Sequence, residues 1–148
     1  MKIRQIADQI VASIKRGGTV FICGNGGSAA QAQHFAAELI GRYKHERRAL
    51  PAIALTTDTS ILTAIGNDYG FKKIFVRQLE ALAKKGDVLI TLSTSGKSPN
   101  VLATIEWGNK HGLLIFDLER LGQDTAEKQE NHLWMLHKIA ELVEKAFI

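Results

Sequence analysis

Four short runs of uninterrupted apolar character recur along the chain, at 19–23 (TVFIC), 52–56 (AIALT), 87–93 (DVLITLS) and 113–116 (LLIF). Each is too apolar to have one wet face, so each reads as a strand covered on both sides. Parallel strands buried this way need crossover connections, usually helices. The intervening segments supply them, with helical periodicity over 29–42, 59–67, 72–84, 98–111 and 125–146. A further helix comes first, where Ile3, Ile6, Ile10, Val11 and Ile14 form one stripe before Gly17 and Gly18 stop it. The final helix starts at "TAEKQ", with Thr125 read as its cap, and at about 1.5 Å per residue it spans about 30 Å. The pattern predicts an α/β fold: a three-layer α/β/α sandwich with a central parallel sheet, flavodoxin-like or Rossmann-like. A chain of 148 residues is long enough for one core, so residues 1–148 are expected to form one domain.

The formal charge of +4 is modest. The densest cationic stretch, "RYKHERR" at 42–48, holds a glutamate and one aromatic, and reads as a solvated loop rather than a nucleic-acid surface. Charges interrupt the first eighteen residues every few positions, which excludes a signal peptide or membrane span there. A single cysteine, Cys23, cannot form an internal disulfide. The chain is expected to be cytoplasmic, with neither nucleic acid nor membrane as partner.

Two loops stand where open parallel sheets bind ligands, at the carboxyl ends of strands. "CGNGGS" (23–28) brings backbone amides close to a ligand through Gly26 and Gly27, and "STSGKSPN" (93–100) gathers four hydroxyls around one glycine at a helix mouth. Ser28 and Ser98 could each be a simple helix cap. Two such loops on one sheet favour a phosphate site. The spacing GxGxxG is absent, and no acid closes the second strand, so a dinucleotide is disfavoured.

His34 and Glu38 are one turn apart on the helix leaving the first loop, a spacing that fits a surface contact as well as a metal pair. Gln129 and His137 lie on the last helix. From spacing alone His137 reads as a core histidine bonded to a carbonyl. His111 and His132 read as exposed, and Asn67 and Asp68 as a turn after a helix.

"CGNGGSAAQAQHFAAELIGRY", "AIGNDYGF", "GDVLITLSTSGKSPNV" and "TAEKQENHLWMLHKIAELVE", in that order, resemble the sugar isomerase (SIS) domain family and, within it, the sedoheptulose 7-phosphate (phosphoheptose) isomerases. The resemblance implies that Ser93, Thr94, Ser95 and Ser98 hold a phosphate. It implies that Asn25, Gly26, Gly27, Ser28, Asn67, Asp68 and Gln129 line the sugar site. It further implies zinc on His34, Glu38, Gln129 and His137, with Glu38 as catalytic base and His137 as catalytic acid. The implied reaction is aldose–ketose isomerisation of a phosphorylated sugar, the first step toward the ADP-heptose of lipopolysaccharide. The implied assembly is a homotetramer with shared active sites.

The chain departs from that family where an N-terminal helical segment is usual, and again after "LLIFD". There a glycine-rich turn and another strand are usual, yet only "LERLGQ" separates Asp117 from Asp124. Glu127 and Lys128 stand where arginine and isoleucine are usual. A related SIS branch is a tetrameric scaffold for the bacterial replication initiator and lacks the catalytic acid and histidine. Glu38 and His137 here favour the enzyme. A sugar-phosphate sensor would normally carry a DNA-binding domain.

Overall fold

The computed structural model describes residues 2–148; Met1, the first residue of the expected domain, lies outside them. The chain runs α1 (Ile3–Lys15), β1 (Val20–Gly24), α2 (Gly27–Ile40), β2 (Ala52–Ala54), α3 (Thr59–Tyr69), a 3₁₀ turn (Phe71–Lys73), α4 (Val76–Leu82), β3 (Val88–Leu92), α5 (Pro99–Lys110), β4 (Leu114–Asp117) and α6 (Thr125–Lys145). All strand pairs are parallel, in the order β2-β1-β3-β4.

The continuous apolarity of β1 and β3 follows from two cores. Val20, Ile22, Val88, Ile90 and Leu92 face α1, α2 and α6, where Ile10, Phe35 and Ile139 are fully buried. Phe21, Cys23 and Leu89 face the opposite way, toward Ile65, Leu79 and Val101 of α3, α4 and α5. The period of two along a strand thus feeds two separate layers. Each large side chain buried this way contributes about 1.5–3 kcal/mol. No helix among the described residues is long and apolar enough to cross a membrane.

Several boundaries differ from the sequence reading. The helix expected at 72–84 is a 3₁₀ turn followed by the short α4. The third helix runs through Tyr69, so Asn67 and Asp68 sit on its last turn and not in a turn beyond it. Asp124, not Thr125, caps α6: its side chain accepts from Glu127 N at 2.9 Å. A carboxylate at that position also complements the helix dipole. In α1 the expected glycine stop holds, because Gly17 adopts φ +84°, the left-handed region.

The segment read as a solvated loop is anchored. Arg47 has a side chain 0% exposed, and its Nε lies 3.4 Å from Oε1 of Glu144, whose side chain is 1% exposed. The Arg47 guanidinium donates to the carbonyls of Glu38, Leu39 and Gly41 at 2.5, 2.9 and 2.8 Å. It therefore satisfies the acceptors that the end of α2 leaves open. Glu144 accepts from the backbone N–H groups of Tyr43, Lys44 and His45 at 2.9, 2.8 and 3.1 Å.

His132, expected on the surface, is fully buried. Its Nε2 lies 3.0 Å from the carbonyl oxygen of Glu119, fastening the short link between β4 and α6 to the body of the domain. Leu118 N donates to Thr91 O at 3.1 Å, continuing the pairing just past β4. Among the described residues the sheet has no further strand, and the chain passes from its edge directly into α6.

Candidate active site

The strand order turns back between β1 and β3: β1 leads out to β2 on one side, and β3 to β4 on the other. The loops after these two central strands consequently open beside each other, the position where α/β sheets bind ligands. Their register pairs Gly24 with Leu92. A Cβ at Gly24 would come within 2.7 Å of both Leu92 O and Ser28 Cβ, so only glycine fits there. Asn25 and Asn100 then join the loops by reciprocal amide bonds of 2.9 and 2.8 Å. Asn100 was missed from sequence, although a polar residue entering a helix that packs on the core was its signal. Gly26 occupies the cap position of α2, and Ser28 is a buried residue of the first turn, not the cap.

In the second loop Ser93 is buried, accepts from Gly96 N at 3.0 Å, and has Oγ 3.3 Å from that of Ser98 and 3.5 Å from that of Ser95. Thr94 is half-buried between them. Ser98 stands at the cap position of α5, yet its hydroxyl bonds no amide of that helix. The simple cap reading therefore fails for Ser98, and three hydroxyls converge at the start of α5, where Pro99 carries no N–H and Val101 N donates to Asn100 Oδ1 at 2.9 Å. Arg120, from the short link, lies over Gly96 and pairs with Asp117 at 2.6 Å. This cation beside the loop was also missed, since only the fold brings it back to the end of β3.

His34 and Glu38 of α2 meet His137 of α6. Glu38 Oε1 lies 2.8 Å from His34 Nε2 and 3.3 Å from His137 Nε2, and the two imidazole nitrogens are 3.3 Å apart. His137 is thus no core histidine bonded to a carbonyl; that description fits His132 instead. One ligand atom from each of the three residues lies within 4.8 Å of the others. Glu38 Oε2 is buried with no hydrogen-bond partner. Two imidazole nitrogens facing each other, a carboxylate between them and an orphaned acceptor together suit a bound cation, and the N and O donor set suits zinc.

Gln129 lies with its carboxamide against Gly27, while its backbone carbonyl accepts from Gln31 Nε2 at 2.7 Å. Asn67 and Asp68 are exposed, with Asn67 Nδ2 donating to Asp68 Oδ1 at 3.1 Å. Asp68 is not part of the group formed by His34, Glu38 and His137.

A family model described as SIS domain matches residues 1–117. The chain belongs to the SIS domain family. Its similarity to phosphoheptose isomerase of Campylobacter concisus is 52% identity over 97% of this chain and 85% of the relative. The corresponding figures for phosphoheptose isomerase of Geobacter metallireducens are 50%, 97% and 85%. Solved structures agree: phosphoheptose isomerase from Neisseria gonorrhoeae superposes with a TM-score of 0.87 at 38% identity, covering 97% of this SIS chain and 85% of that one. The enzyme from Francisella tularensis gives 0.91 at 33%, with the same coverage. The alignment with the C. concisus relative extends over 160 positions against 148 residues here, so that relative carries residues with no counterpart in this chain.

Proposed function

We propose that this protein is a phosphoheptose isomerase, interconverting D-sedoheptulose 7-phosphate and D-glycero-D-manno-heptose 7-phosphate in the cytoplasm as the first step toward the ADP-heptose of lipopolysaccharide. The observation that carries the reading is the meeting of Glu38 and His137, from helices far apart in sequence, at 3.3 Å. The relatives at about half identity are named for the same activity. The reading takes residues 1–148 as one SIS domain, because α6 shares its core with α1 and α2.

The phosphate is held by Ser93, Thr94, Ser95 and Ser98 at the start of α5. Asn25, Gly26, Gly27, Ser28, Asn67, Asp68 and Gln129 line the sugar. Glu38 takes the proton from C1 of the ketose, giving an enediol, and returns it to C2. His137 moves a proton between the two oxygens. A carboxylate and an imidazole are residue types able to exchange protons near neutral pH. Oε1 of Glu38 faces both imidazoles, which ties the carboxylate to the two histidines of the proposed site. Zinc on His34, Glu38, Gln129 and His137 supplies Lewis-acid stabilisation of the negative charge that develops on the substrate oxygens.

The reading includes a homotetramer whose protomers share active sites. It is supported by large apolar side chains left exposed beside Asn67 and Asp68, namely Tyr69 at 59% and Phe71 at 65%. The test is incubation of the purified protein with sedoheptulose 7-phosphate, with and without a chelator. The reading expects an aldose heptose phosphate that a chelator suppresses. Absence of any aldose product from the metal-supplied protein would overturn it.

A further inference from the structure

The loop between α2 and β2 does more than connect. Glu144 gathers the backbone N–H groups of three consecutive residues, Tyr43, Lys44 and His45. The same carboxylate pairs with the buried Arg47, and Arg47 donates to the backbone carbonyl of Glu38. One clamp thus ties together the end of α2, the loop and α6, and it grips the first of these loop residues by its own amide. The ring of Tyr43 lies 5.5 Å from that of His137, centroid to centroid, with the planes 24° apart, a stacked pair. On its other contact His137 meets His34, with centroids 5.3 Å apart and planes tilted by 55°.

Imidazoles that hold a metal are normally oriented by a hydrogen bond to their second ring nitrogen. Among the described residues, the only hydrogen bond of His137 is through Nε2, to His34. Nδ1 has no such bond there, so packing takes the place of the second hydrogen bond, and Tyr43 is the ring stacked on the imidazole while His34 meets it at a tilt. Stacking fixes a ring plane without consuming either nitrogen.

We propose that Tyr43 is a positioning residue: held in place by the Glu144–Arg47 clamp, its ring sets the plane of the His137 imidazole so that Nε2 points at Glu38 and His34. The inference rests on the reading of His137 as a metal-site and acid residue. The loop carries no chemistry of its own; it acts by reducing the orientations available to His137. The phenolic hydroxyl has no part in this, so phenylalanine should serve as well as tyrosine.

The test compares Tyr43→Phe and Tyr43→Ala with the parental protein. Tyr43 is only half-buried, so both variants are expected to fold. NMR spectra of the metal-free protein report the carbon-bound protons of the His137 ring, which the stacked phenol displaces through its ring current. Zinc affinity, measured by competition with a chelating indicator, reports how well the donor set is arranged. Tyr43→Ala is expected to lose the ring-current displacement and to weaken zinc binding by about tenfold or more, the usual cost of removing an orienting partner. Tyr43→Phe is expected to retain both. His137 resonances that superpose between Tyr43→Ala and the parental protein would overturn the inference, as would undiminished zinc affinity in that variant. If the parental protein takes up no zinc, the metal reading falls, while the NMR comparison still decides the role of Tyr43.

Discussion

Gly27 lies so close to Gln129 that a Cβ at position 27 would come within 2.5 Å of the Gln129 carboxamide nitrogen. The first turn of α2 and the start of α6 are thereby brought together beside the first ligand loop. Gly27→Ala should displace the Gln129 side chain while leaving the helix intact. Gly27 is the first residue of α2, where the helix-interior advantage of alanine over glycine does not apply in full, so thermal stability is expected to change little. If Gln129 lines the sugar as proposed, kcat/KM for the sugar phosphate is expected to fall by about tenfold to a hundredfold. Thermal melts with steady-state kinetics separate the two effects.

Ser98 offers a second separation. A serine that caps a helix normally costs about 1 kcal/mol when replaced by alanine. Here the hydroxyl bonds no α5 amide and instead faces Ser93 Oγ at 3.3 Å. Ser98→Ala should therefore leave the unfolding free energy nearly unchanged, yet raise KM for the phosphorylated sugar and weaken inhibition by inorganic phosphate. Denaturant titration and inhibition kinetics check both statements.

The clamp at Glu144 predicts acid sensitivity. Burial pushes the Glu144 carboxyl up, but the N–H groups of Tyr43, Lys44 and His45 and the charge of Arg47 outweigh it, leaving the group below the usual carboxylate range. A carboxyl lowered on folding contributes stability above its unfolded value and loses that contribution as pH falls through its folded value. Glu144→Gln should remove this component of the acid limb. Since it leaves Arg47 buried without its charge partner, it is expected to cost about 3–5 kcal/mol at neutral pH. Denaturant unfolding across the acid range measures both.

His132 works in the same pH direction by a different route. Burial pushes its imidazole below the ordinary value, and the backbone carbonyls of Glu119 and Leu118 only partly oppose this. The unfolded chain then takes up a proton first. Stability is complete above the ordinary imidazole pKa of 6.5 and declines as pH falls from there toward the lowered folded value. The slope approaches about 1.4 kcal/mol per pH unit at most. His132→Asn should flatten that part of the curve, and unfolding followed between neutral and mildly acid pH would show it.

The layer architecture and the two glycine–serine loops after the central strands were legible in the sequence because uninterrupted apolar runs and glycine–serine turns act locally. Pairings that depend on the return of a distant segment were not. Arg47 looked like one solvated cation among several, and its partner Glu144 sits on the last helix. Spacing exchanged His132 and His137, since helical periodicity cannot say which face of α6 meets the β4 link and which meets α2. The 72–84 segment carries a helical pattern, but Gly70 at φ +95° and the 3₁₀ turn after it delay the start of α4. The family resemblance supplied what spacing left open, the association of His34 and Glu38 with His137.

The central claim is that Glu38 and His137 act on one bound sugar phosphate. Turnover of sedoheptulose 7-phosphate by Glu38→Gln, set beside the parental protein and His137→Asn, tests it most directly. The account predicts losses of about 10²–10⁴-fold for each variant, the usual scale for removing a general base or acid, with thermal stabilisation by the sugar phosphate retained. Isomerisation by either variant at the parental rate would contradict it.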